Sequence, residues 1–204
     1  MSEPEAVVCI HGFGGHWLVM MPLARRLAGR GYRVRNWGYR SIWKTTARHA
    51  DQFALLLDQL QHDPAISRFH IVAHSMGSIV TRVALAQLSP SKLHRVVMLA
   101  PPNLGSHVAT RFVPWFGWLS TTLREISDLP DSLVRQLDEP IAEPYEVGII
   151  QASTDFVVRD ENTHLPEAKE TVMTSGFHSS ILWRKRTSQL IETFLSEGTF
   201  ESNF

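Results

Sequence analysis

Short apolar runs rich in β-branched residues alternate along this chain with longer segments whose apolar residues recur every three or four positions, and that alternation leaves few folds open. The runs are Ala6 to Ile10, Tyr32 to Asn36, Phe69 to Ala73, Val96 to Ala100, Val147 to Ala152 and Thr171 to Thr174. Several are apolar at every position, as strands buried on both faces of a parallel sheet must be. Between them, Leu18 to Ala28, Thr45 to Leu60, Met76 to Leu88 and Ser179 to Leu195 read as covering helices. The pattern predicts an α/β fold with about six mostly parallel strands flanked by helices. At 204 residues the chain is long enough for one domain that buries roughly 70% of its unfolded surface and short for two. A single domain over residues 1–204 is expected.

One stretch breaks the alternation. From Pro101 to Pro144 no strand appears, and the stretch is too long for a simple crossover. An insertion at 103–144, lid-like and lying over the active face, is the expectation. Its centre, Phe112-Val113-Pro114-Trp115-Phe116-Gly117-Trp118-Leu119, concentrates aromatic residues beyond what a connecting loop needs. Two readings stand: Trp115, Phe116 and Trp118 contact a substrate, or these rings pack onto the sheet as core.

Charge excludes some partners. The 20 basic and 20 acidic residues cancel, so no long-range field gathers nucleic acid. Cys9 is the only cysteine, which rules out an internal disulfide and fits a reducing compartment. Met1 to Glu5 is acidic where a signal peptide is basic, and no run of roughly 20 apolar residues is present. A cytoplasmic protein is expected.

The chemistry gathers at strand ends. Ala73-His74-Ser75-Met76-Gly77 stands between a strand and a helix. In that context a serine is held in a strained turn with its hydroxyl projecting above the sheet, and the residues two before and two after must be small. Ala73 and Gly77 are small. The helix start offers unpaired N–H groups, so the Met76 N–H is a candidate oxyanion donor. Directly after the first strand, His11-Gly12-Phe13-Gly14-Gly15 forms a turn that brings backbone close to a substrate carbonyl, with the Phe13 N–H as the second donor. This loop lacks the Lys-Ser/Thr of a phosphate-binding loop. For His11 and His74, ring contacts to neighbouring backbone are the expected role.

A serine nucleophile needs a base, and in this architecture the chain order is serine, acid, histidine. Of ten histidines, His178 alone lies just after the last strand at the lip of the final helix; His164 precedes that strand in a polar stretch. Asp155 ends the strand Val147 to Ala152 and is the first candidate for the acid, with Asp160 in reserve.

These residues resemble the small α/β-hydrolases related to bacterial lipases and lipase-like serine esterases. The likeness rests on His11 to Gly15, Ala73 to Gly77, Ala100-Pro101-Pro102-Asn103-Leu104-Gly105-Ser106, Asp155 and His178, and spans nearly the whole chain. It implies a triad of Ser75, Asp155 and His178, an oxyanion hole from Phe13 and Met76, and a pocket shaped by the Pro-Pro-Asn segment. The chain looks like a minimal version of the fold. It departs from the family pattern at Ser78, where a second glycine is usual after the elbow, and at Phe156, where glycine is common after the acid.

The expected activity is hydrolysis of a carboxylic ester with a hydrophobic acyl group through an acyl-enzyme on Ser75, with no metal or organic cofactor. Weak contact with a lipid interface through residues 112–119 is expected alongside it. Acyl transfer, amide or thioester cleavage by the same triad, and a non-catalytic binding module of the same fold remain open at this stage.

Overall fold

A computed structural model describes residues 5–117, 120–137, 141 and 145–201. Six strands, β1 (Glu5–Ile10), β2 (Arg33–Trp37), β3 (Arg68–His74), β4 (Leu93–Leu99), β5 (Glu146–Thr154) and β6 (Glu170–Phe177), form one sheet in the order β2-β1-β3-β4-β5-β6. Every neighbouring pair is parallel. All six runs read from the sequence are strands, each a little longer than or shifted by a residue from the run itself.

Alternation within the strands sends side chains to two cores. Val8 and Ile10, Ile71 and Ala73, Val96 and Met98 face α2 (Thr46–His62) and α3 (Met76–Gln87), where Phe53, Leu57, Val80 and Ala84 meet them. Val7 and Cys9, Val72, Val97 and Leu99 face α1 (Trp17–Ala28) and α7 (Lys185–Glu197) through Met20, Leu23, Leu27, Ile191 and Phe194. The central strands are apolar throughout because both faces are covered. Each large side chain fully removed from water contributes roughly 1.5–3 kcal/mol to this packing. The edge strand β2 instead alternates exposed Arg33 and Arg35 with half-buried residues.

The first crossover carries the chain from β1 to β2 on one side, and β3 then returns to the other side of β1. Crossovers diverge at that point, and the carboxyl ends of β1 and β3 open a crevice between them. The two motif turns lie there.

Two expectations need correction. The final helix does not run from Ser179: Ser180–Trp183 forms a 3-10 turn, Arg184 is extended, and α7 begins at Lys185. Trp183 turns toward α1 instead, its Nε1–H donating to the Val19 carbonyl at 3.1 Å. The aromatics of the insertion are not core either, since Phe112 is 45%, Trp115 73% and Phe116 48% exposed; Trp118 lies outside the described residues.

The insertion folds as α4 (His107–Phe116), α5 (Thr121–Glu125) and α6 (Leu133–Gln136). It is tied to the body. Ser120 and Thr122 hydroxyls donate to the carbonyls of Ile42 and Lys44 (3.1 and 2.6 Å), and the Glu125 carboxylate accepts the Thr46 N–H at the start of α2 (2.7 Å). The buried Arg82 guanidinium donates to the carbonyls of Asn103 and Leu137 (3.3 and 2.9 Å), clamping both ends of the insertion to α3. Among the described residues no helix is long and apolar enough to cross a membrane.

Candidate active site

Ser75 sits between β3 and α3 with φ 52° and ψ −126°, a backbone conformation that costs a non-glycine residue on the order of 1–3 kcal/mol. The surroundings hold it there. Its N–H donates to the Leu99 carbonyl at the end of β4 (2.9 Å), and its carbonyl accepts the Ser78 N–H (2.8 Å). Gly77 lets α3 close onto the end of β1, for a β-carbon there would stand 2.8 Å from the His11 carbonyl oxygen and 2.9 Å from that of Ile10. Gly12 plays the reciprocal part, since its missing β-carbon would stand 2.8 Å from the β-carbon of Ser75. The two turns touch at a distance only glycine allows.

His178 follows β6 and joins Ser75 to Asp155. Its Nε2 lies 2.9 Å from Ser75 Oγ, and its Nδ1 lies 2.7 Å from Asp155 Oδ2. An ionised carboxylate only accepts, so Nδ1 carries the proton and Nε2 is free to accept from the serine hydroxyl. The other oxygen of Asp155 accepts the backbone N–H groups of Val157 and Val158 at 2.8 and 2.9 Å. Burial raises the pKa of this carboxyl, but the hydrogen bond from His178, the imidazole's charge and the two backbone donors outweigh it and hold the group below its ordinary range. The reserve candidate, Asp160, is exposed and starts a 3-10 turn in which its carbonyl accepts from Gln151. His164, the other histidine beyond the elbow, is exposed and caps the same turn.

The loop 11–15 is fixed by partners that the sequence did not announce. His11 Nδ1 donates to the Gly12 carbonyl (2.9 Å), its Nε2 accepts the Tyr39 N–H (3.3 Å), and the Tyr39 hydroxyl donates to the His11 carbonyl (2.9 Å). The two rings stack at 4.5 Å. Burial keeps the pKa of His11 below its usual value, in line with a neutral ring used as a brace. Ser41 accepts the Gly14 N–H (2.9 Å), and the Gly12 carbonyl accepts the Gly15 N–H (3.2 Å). Tyr39 and Ser41 belong to the irregular segment after β2, where neither periodicity nor motif marks them. The N–H groups of Phe13 and Met76, by contrast, donate to no acceptor among the described residues. The Met76 side chain is fully buried and belongs to the core on the α2 and α3 side of the sheet.

A cavity of about 540 Å³ opens above Ser75 and His178. Phe13 and Gly12 form part of its floor, Val108, Ala109 and Phe112 of α4 one wall, and Trp183 and Val19 another. Pro102 and Ser106 also line it, which is where the Pro-Pro-Asn segment was expected to act. Trp115 and Phe116 do not line it. They follow Val108 and Phe112 on the same helical stripe, but at 1.5 Å rise per residue the helix has by then carried them roughly 5 Å beyond Phe112, past the cavity. Phe112 is the aromatic that the sequence did not single out.

His74 also departs from expectation. Its ring bonds not to adjacent backbone but to the carbonyl of His178, at 3.0 Å from Nε2.

The sequence from 7 to 188 matches the model of the alpha/beta hydrolase family. The chain is similar in structure to the mature form of a lipase from Bacillus licheniformis, with a TM-score of 0.77 and 16% identity over 98% of this chain and 94% of that one. An esterase from Pyrococcus furiosus gives a TM-score of 0.67 and 19% identity over 96% of this chain and 83% of that one. A phospholipase from Legionella pneumophila gives 0.64 and 18% over 78% of this chain and 44% of that one. At such identities these likenesses bear on the fold. No curated protein matches the sequence.

Proposed function

This chain belongs to the alpha/beta hydrolase family, and on that premise we propose that it is a serine hydrolase that cleaves carboxylic esters through an acyl-enzyme on Ser75. The observation that carries the proposal is the unbroken hydrogen-bonded line from Ser75 Oγ through His178 to Asp155. Ser75 Oγ attacks the ester carbonyl while His178 Nε2 takes its proton, and the carbonyl oxygen becomes an oxyanion beside the Phe13 and Met76 N–H groups. Collapse of the tetrahedral intermediate breaks the bond to the alkoxy group, which leaves as the alcohol with the proton from His178. Water, deprotonated by the same nitrogen, then attacks the acyl-enzyme and releases the acid and free Ser75. Asp155 stays ionised throughout, keeping the imidazole in the accepting tautomer and stabilising the imidazolium.

The cavity supports a hydrophobic acyl group. None of the described residues lining it is Asp, Glu, Lys or Arg, and Val19, Val108, Phe112, Leu123, Ile126 and Val157 present apolar surface. The half-exposed or exposed rings of Phe112, Trp115 and Phe116, leading outward from the cavity, support weak contact with a lipid interface at its mouth. The lipase and esterase among the similar structures accord with this substrate class.

Labelling by a fluorophosphonate probe tests the proposal. The parent protein is expected to label and to hydrolyse a short-chain aryl ester, and Ser75→Ala to escape labelling with kcat down by about 10⁶-fold. A folded parent that fails to label would overturn the acyl-enzyme.

A further inference from the structure

The histidine immediately before the nucleophile is bonded to the histidine that serves it. His74 is 4% exposed, its Nε2 lies 3.0 Å from the His178 carbonyl oxygen, and the two imidazole rings are 5.0 Å apart at their centroids. A carbonyl can only accept, so Nε2 of His74 carries the proton and Nδ1 holds a lone pair. That Nδ1 is buried with no donor among the described residues, and it lies against the oxyanion loop, 3.2 Å from where a β-carbon on Gly12 would stand. One ring therefore touches the elbow, the oxyanion loop and the segment that carries the base.

From this arrangement we infer that His74 is a positioning residue that fixes the backbone of His178 relative to Ser75. The inference rests on the reading of Ser75 and His178 as nucleophile and base. Two hydrogen bonds join the same two stretches of chain: Ser75 Oγ to the ring of His178, and the ring of His74 to the carbonyl of His178. Because His74 and Ser75 are consecutive, the pair closes a small ring, and any shift of the elbow carries the base with it. Such a tie is needed. His178 hangs beyond the end of β6, between Gly176 at φ +140° and a 3-10 turn, and its neighbour Phe177 is more than half exposed. Asp155 fixes one ring nitrogen but not the backbone from which the ring swings.

Protonation would spoil the arrangement, and the site resists it. Burial first, and then the neighbouring His178 imidazole, push the pKa of His74 down to about 3, outweighing the hydrogen bond to the His178 carbonyl and the attraction of Asp155. The ring stays a neutral donor at any pH where the triad works, so the proton gained in the reaction resides on His178 alone.

Substitution separates this role from simple packing. His74→Phe keeps the ring and loses the donor, while His74→Gln places an amide N–H near the position of Nε2. On a soluble aryl ester, His74→Phe is expected to lower kcat by about 10- to 100-fold with KM within about twofold, and His74→Gln to recover kcat to within about threefold of the parent. Parent-like kcat in His74→Phe overturns the inference, as does a glutamine variant no better than the phenylalanine one. Should either variant fail to fold, 15N spectra of histidine-labelled parent protein decide the matter. The expected signature is one buried imidazole, assigned to His74, that remains the neutral Nε2–H tautomer from pH 5 to 9; a Nδ1–H tautomer or a titration in that range overturns it. Probe labelling of the parent keeps the two readings distinct, since the tautomer of His74 is measurable whether or not Ser75 reacts.

Discussion

The floor and the α4 wall of the cavity are built on opposite plans. Every turn of the floor is over-determined: Ser75 is strained and pinned to β4, Gly12 and Gly77 permit contacts no side chain would survive, and Asp155 receives three hydrogen bonds. The wall is a helix anchored through its neighbours, with Val108, Ala109 and Phe112 on the cavity and Trp115 and Phe116 in the open. A floor of this kind serves a transition state, where sub-ångström placement is worth orders of magnitude. A wall of this kind serves binding, where the exchange rate is a few kcal/mol per side chain. Substitutions should therefore act on kcat in one region and on KM in the other.

The sharpest break in that comparison lies between two aspartates in one loop. Asp155→Asn leaves the shape of the site but takes away the acceptor that sets the tautomer of His178, so kcat on an aryl ester is expected to fall by about 10⁴-fold. Asp160→Asn changes an exposed residue and should stay within about twofold of the parent. A loss confined to Asp160→Asn would move the acid and dismantle the floor as described.

Gly12→Ala probes the contact between the two turns. The added methyl would meet Ser75 and the ring of His74, so the loop 11–15 must retreat from Ser75. Loss of one oxyanion donor predicts kcat down by about 10²- to 10³-fold with the fold retained, checked by circular dichroism beside the kinetics. An unchanged kcat would mean that the Phe13 N–H takes no part.

How much of this was legible beforehand follows the same division. The strands could be read because burial on both faces leaves a continuous apolar signature, and the floor could be read because its geometry demands small residues at fixed offsets from Ser75 and after β1. Chain order then singled out Asp155 and His178 from many carboxylates and ten histidines. The wall could not be read in the same way. Periodicity puts Val108, Phe112, Trp115 and Phe116 on one stripe, but where the cavity ends along that stripe depends on how α4 crosses the sheet, and no local pattern encodes that. The supports of the floor were equally hidden. Tyr39 and Ser41 meet the loop 11–15 across 28 and 27 residues of sequence, and His74 meets His178 across 104. The break before α7 was missed because Trp183, Leu190 and Phe194 keep a helical spacing across Arg184, although Trp183 belongs to a separate turn.

The smallest effects belong to the wall, and there the comparison can be turned on a single helix. Phe112 borders the cavity and Trp115, one turn on, does not. Removing the Phe112 ring deletes apolar surface that an acyl chain would cover, and because the ring is already 45% exposed the loss is partial, on the order of 1 kcal/mol. Phe112→Ala should thus raise KM about fivefold for a long-chain ester, leave KM for an acetyl ester unchanged, and leave kcat unchanged for both. Trp115→Ala should alter neither constant for dissolved esters but lower the fraction of protein that sediments with phosphatidylcholine vesicles about threefold, since its ring meets solvent or lipid rather than the bound acyl group. If Trp115→Ala instead reproduces the long-chain KM effect of Phe112→Ala, the cavity extends along the stripe when occupied, and the wall shares in substrate binding over its whole length.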